Sequence, residues 1–178
     1  MKKSTLVASL LITLTLLALI SVPVHTDAQV RQITLFMYAA KFVCGKDEGK
    51  ILSPGQYFTA VNVHNASPVK EANYIKRFAI ALPGEAPGPI SRLTRVATLK
   101  PDQAMTIECE NIIKHTGQTP SPLLEGFALI YSLQELDVVP VYTAGHSEVE
   151  ALHSERVPAR RFVIPGTHAI ARELREPQ

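Results

Sequence analysis

Met105-Thr106-Ile107-Glu108-Cys109 alternates apolar and polar side chains without a break. An extended chain places Met105, Ile107 and Cys109 on one face and Thr106 and Glu108 on the other, the mark of a strand with one side buried. The same period of two recurs upstream. Tyr38, Ala40, Phe42 and Cys44 alternate with Ala39, Lys41 and Val43; Thr59, Val61 and Val63 with Ala60, Asn62 and His64; Phe78, Ile80 and Leu82 with Arg77, Ala79 and Ala81. Pro and Gly at Gly45, Pro54-Gly55, Pro68, Pro83-Gly84, Pro87-Gly88-Pro89, Pro101, Gly117, Pro120 and Pro122 cut the chain into pieces suited to strands and too short for core helices. Gly126 to Ser132 and Leu136 to Ala144 are more continuously apolar, as central strands are, and Leu133-Gln134-Glu135 is short enough to join them as a hairpin. Glu150 to Val157 reads as a last, polar strand ended by Pro158. Only Glu110 to His115 reads as helix, stopped at Gly117.

Seven or eight short strands and one short helix predict an all-β fold, an antiparallel β-sandwich of immunoglobulin-like architecture. With no Trp in the chain, the antibody pattern of Cys, Trp and Cys is absent. Phe42, Phe78 and Phe127 fall on the faces expected to be inward and read as core rather than as a sugar-binding platform. The loop from Leu82 to Pro89 reads as an exposed turn. Phe162 to Gln178 reads as a loosely attached tail.

The chain opens Met1-Lys2-Lys3 and then runs from Leu6 to Val24 through almost nothing but Leu, Ile, Val, Ala and Thr. A short basic start, an apolar run and small residues at its exit form a secretory signal. Thr26 and Ala28 take the −3 and −1 places for cleavage before Gln29. The expected division is therefore a signal helix and peptide over 1–28, a sandwich domain over 29–161 and a tail over 162–178. An apolar run of this length also suits an uncleaved membrane anchor, so the expected location is periplasmic or secreted, or anchored by the leader. The remaining 150 residues carry 16 basic and 15 acidic side chains, after Lys2, Lys3 and Asp27 are taken from 18 and 16. That balance supplies no clustered positive surface for nucleic acid and no polybasic membrane patch.

Two cysteines, Cys44 and Cys109, are expected to form a disulfide in an oxidising compartment. Neither sits in a Cys-x-x-Cys motif, and both fall on the apolar face of their strands. Other chemistry is faint. His146, Glu148, Glu150 and His153 form the densest group of metal-ligand types, but on one strand His153 would face away from the other three. Ser91, Ser121, Ser132 and Ser147 lack a Gly-x-Ser-x-Gly context. Glu108, Glu110, Glu125 and Asp137 are the carboxylates available to a glycosidase-type pair. No Gly-rich phosphate loop occurs, and Asn65-Ala66-Ser67 matches a glycosylation sequon.

Lys41-Phe42-Val43-Cys44-Gly45, TAVNVHN (59–65), Ile107-Glu108-Cys109, GFALI (126–130) and LDVVPVYTA (136–144) together resemble a group of uncharacterised exported bacterial proteins that carry these blocks in this order. The resemblance spans roughly residues 38 to 157 and includes both cysteines, which implies that the bridge is a shared feature. A fainter similarity links Leu93 through Tyr142 to the β-sandwich transducers of sensory rhodopsins. Neither resemblance supplies a catalytic residue.

The expected function is that of a non-enzymatic exported β-sandwich, a binding or structural accessory module with no cofactor, no metal and no catalytic residues. Its partner would be a protein or a small molecule, and a homo-oligomer is one such assembly. The alternatives are a hydrolase whose site is built from scattered polar residues, and a small-ligand or carbohydrate binder. The positions of His64, His146, His153 and Asp137 relative to any cavity separate these readings.

Overall fold

A computed structural model describes residues 31–118, 123–146 and 149–175; the expected signal helix over 1–28 lies outside them. Ten strands and two short helices follow in order: β1 (Gln32–Asp47), β2 (Gly55–His64), β3 (Ala72–Ala81), β4 (Pro87–Ile90), β5 (Ala97–Leu99), β6 (Ala104–Glu108), α1 (Cys109–Thr116), β7 (Leu123–Ser132), β8 (Asp137–His146), β9 (Val149–Ser154), β10 (Arg160–Pro165) and α2 (Ala169–Arg175). The fold is all-β and antiparallel throughout. Among the described residues it has ten strands where seven or eight were expected, joined in one continuous hydrogen-bonded sheet.

That sheet folds over on itself. One half is β4-β3-β7-β1, with β10 also on β1 and β5 on β3; the other is β6-β2-β8-β9. The halves join where Gly45–Asp47 of β1 pair with Gly55–Tyr57 of β2. Asp47 builds the turn between them: it is 1 % exposed, and its carboxylate accepts the N–H groups of Gly49, Lys50, Ile51 and Leu52. Gly49 sits at φ +92°, where a side chain would be strained. The core draws on both halves: Tyr38, Ala40, Phe42 and Cys44 from β1, Val61 and Val63 from β2, Phe78 from β3, Ile107 from β6, Ile130 from β7 and Val138 from β8. Alternation read along single strands thus holds in β1 and β2.

Cys44 and Cys109 are bridged, with Cα atoms 5.7 Å apart. Cys109 is the first residue of α1 rather than the end of a strand. Glu108 caps that helix, its N–H donating to Asn111 Oδ1 at 3.1 Å, and Gly117 at φ +64° ends it with its N–H on the Ile113 carbonyl.

Four expectations change. β7 and β8 are consecutive but unpaired with each other: β7 lies between β1 and β3, and β8 between β2 and β9. The Leu133–Glu135 link is therefore a crossing between the halves, fixed because Leu136 N–H donates to the buried Tyr38 hydroxyl at 2.6 Å. Phe127 points outward and is 43 % exposed, because Leu124, Ala128 and Ile130 hold the inward face of β7. Gly126 lies on that same inward face, where a Cβ would stand 2.1 Å from the Ala79 carbonyl and 2.8 Å from the Phe42 ring. Part of the expected Pro-Gly loop, Pro87–Ile90, is β4, laid along β3.

The fourth change concerns residues 160–175, which are integral. β10 pairs with Gln32–Met37 of β1, so a boundary at 161/162 would cut a strand. α2 buries Ala171 and Leu174, and Leu174 joins Leu35, Ile75 and Tyr131 in a second cluster on the outer side of the sheet. The Leu174 carbonyl also accepts the Asn73 side-chain amide at 2.9 Å.

Candidate functional site

β1 has two edges. β7 occupies one of them continuously from Phe36 to Gly45. The other is paired with β10 up to Met37 and with β2 from Gly45, so no strand lies along it between Tyr38 and Cys44 among the described residues. At Val43 a side chain substitutes for a strand: Thr59 Oγ1 accepts the Val43 N–H at 2.9 Å and donates to the Val43 carbonyl at 3.0 Å.

A groove of about 310 Å³ opens beside this edge, between β1 and the β8–β9 hairpin. Its walls include Val43, Leu52, Tyr57, Tyr142, Ala144 and Ala151, an almost wholly apolar set. The Tyr142 and His153 rings stack with centroids 6.0 Å apart. Burial raises the Tyr142 pKa, and the hydrogen bond from its hydroxyl to Glu155 raises it further. The groove's cation, Lys41, is held by Glu125 at 2.8 Å. The groove lacks a free charge among the described residues, and its chemistry is burial of apolar surface.

A second, polar depression lies at the start of β8. His64 faces Asp137 across the β2–β8 register, with Nδ1 3.6 Å from the carboxylate. Arg156 also contacts Asp137, and Arg161 pairs with Glu135 at 3.1 Å. Ser67 lines this depression with Asp137, but its hydroxyl accepts the N–H groups of Val69 and Lys70 and makes no hydrogen bond to His64 among the described residues. The arrangement is a surface ion-pair cluster with a histidine and no activated hydroxyl.

The remaining sequence candidates are dispersed. β8 and β9 form a hairpin, placing His146 opposite Val149 and Tyr142 opposite His153, so the His146-to-His153 segment is two strands rather than one. Glu148 and Ser147 lie outside the described residues, as does Ser121. Among the described residues, no three of His, Cys, Asp and Glu gather as metal ligands. Ser91 Oγ accepts the Phe78 N–H and Ser132 Oγ donates to the Asn73 carbonyl, both as substitutes for strand pairing. Asn65 of the sequon is fully buried, and its amide donates to the carbonyls of Lys70, Leu99 and Lys100. That makes it a structural clamp, inaccessible to a glycan. Sequence reasoning missed the groove because its walls come from β1, β2, β8 and β9. The one local signal was Thr59, a hydroxyl among apolar inward residues.

No protein-family model matches the sequence, and no curated protein matches it. Among solved structures, the crystal structure of Thermotoga maritima 1070 aligns with a TM-score of 0.43 and 6 % identity, over 71 % of this chain and 93 % of that one. A likeness of that size carries no information about fold or function.

Proposed function

We propose that this chain is an exported, non-enzymatic binding module whose ligand surface is the apolar groove between β1 and the β8–β9 hairpin. The observation that carries this reading is the coincidence of an apolar concave wall with a stretch of β1 that has no strand partner among the described residues. Concave, mostly apolar surfaces are where proteins take up ligands. Export rests on the leader, and the Cys44–Cys109 bridge is compatible with an oxidising compartment. No described helix is long and apolar enough to cross a membrane.

The hydrolase reading has one observation in its favour, the His64–Asp137 pair. It lacks a nucleophile in contact with that histidine among the described residues.

An anilinonaphthalene dye tests the groove. Its fluorescence should rise on the native protein and fall to the background level in Ala151→Trp, which fills the groove from an exposed strand without touching the core. Equal dye binding by the two proteins removes the groove as a ligand surface. Ester hydrolysis that disappears in His64→Ala would favour the enzyme instead.

A further inference from the structure

Strand geometry defines what the open edge of β1 offers. In an antiparallel pair, backbone N–H and C=O groups of alternate residues point to opposite edges. Val43 directs both of its groups to Thr59, away from β7. The β1–β7 register runs unbroken from Phe36 to Gly45, so Lys41 and Ala39 direct their N–H and C=O groups the same way. None of these four groups has a protein partner among the described residues. Two donors and two acceptors are thus presented in ladder spacing, at the same edge that borders the apolar groove.

The ends of the stretch are closed. The Arg160 position of β10 stands opposite Met37, and Tyr57 of β2 stands opposite Gly45. Seven positions of β1, Tyr38 to Cys44, lie between them, ~23 Å at ~3.3 Å per residue, room for a segment of about six residues. A strand laid there would extend the β4-β3-β7-β1 half over the β8–β9 hairpin, and its inward side chains would drop into the groove.

Several polar contacts already surround the opening. Lys41 is held by Glu125, Arg161 by Glu135, Arg156 by Asp137, and the Tyr142 hydroxyl by Glu155.

On the reading that the groove is the ligand surface, we infer that its occupant is an extended peptide segment that pairs with the backbone of Ala39 and Lys41 and seats an apolar side chain between Tyr57 and Tyr142. Strand addition of this kind takes affinity from main-chain hydrogen bonds and specificity from alternate side-chain pockets.

Amide hydrogen exchange on the isotope-labelled, disulfide-intact protein tests this. Alone, the Ala39 and Lys41 amides should exchange quickly while the Val43 amide, held by Thr59, is protected. The probe is a pool of capped hexapeptides in which Thr alternates with Val, Leu, Ile, Phe or Tyr. At about 1 mM pool, both amides should slow by about ten-fold or more. The effect should vanish with the same pool N-methylated at alternate amides, and in Ala151→Trp. No slowing overturns the inference, and so does slowing that survives N-methylation, which signals side-chain contacts alone. Protection that appears without peptide and grows with protein concentration also overturns it, since the edge then belongs to a second copy of the chain. Dye binding that persists while peptide protection fails leaves the groove as a ligand surface and removes only the peptide.

Discussion

At the scale of single residues, several polar side chains act as pieces of backbone. Thr59 completes β1 at Val43, Ser91 and Thr94 complete β3 at Phe78 and Lys76, and Asn65 clamps three carbonyls. Asp47 goes furthest. Burial opposes its charge, but the N–H groups of Lys50, Leu52, Gly49 and Ile51 outweigh burial and hold its pKa below the ordinary carboxylate value. A carboxyl depressed in the folded state contributes stability above its unfolded pKa of about 4, and that contribution is lost as pH falls through the lower folded value. Asp47→Asn keeps one acceptor oxygen and cannot ionise. Thermal melts should show the variant melting below the native protein at neutral pH, with the gap closing as the pH drops below about 4. A gap that stays constant down to pH 2 would show that Asp47 gains nothing from being charged.

At the scale of elements, local pattern and final role part company at the chain end. Residues 160–175 carry Pro165-Gly166 and four arginines, the composition of a tail. They nonetheless form a strand that extends the sheet at β1 and a helix that packs on the outer side of β1, β7 and β3. A two-turn helix is marginal in isolation, so α2 exists because Leu174, 1 % exposed, reaches Leu35, Ile75 and Tyr131. Leu174→Ala should cost about 2–5 kcal/mol in urea denaturation. A loss under about 0.5 kcal/mol, the range of an ordinary surface substitution, would mean that the chain end is only loosely attached after all. The hairpin expected between β7 and β8 fails for a related reason: a three-residue link permits a hairpin but does not require one, and strand partners are chosen by which inward faces share the core.

At the scale of the whole molecule, the Cys44–Cys109 bridge joins β1 to the start of α1 across 65 positions. Closing a loop of that length stabilises by about 4 kcal/mol in the chain-entropy model, with typical values of 2–4. Reduction, or the double substitution Cys44→Ala and Cys109→Ala, should lower the denaturation midpoint accordingly. An unchanged midpoint in the double variant would show that the joined sheet and its core suffice. The sequence by itself determined the all-β class, the inward faces of β1 and β2, the helix at α1 and the two cysteines that meet, because each depends on alternation or compartment and is written in neighbouring residues. Only the tertiary structure decided that the strands form one folded-over sheet, that residues 160–175 pack into it, and that β1 keeps an open edge above an apolar groove among the described residues. Those outcomes depend on which distant strands pair. Register between strands is set by the shared core and by side chains such as Thr59 and Tyr38 reaching across it, and no local period records them.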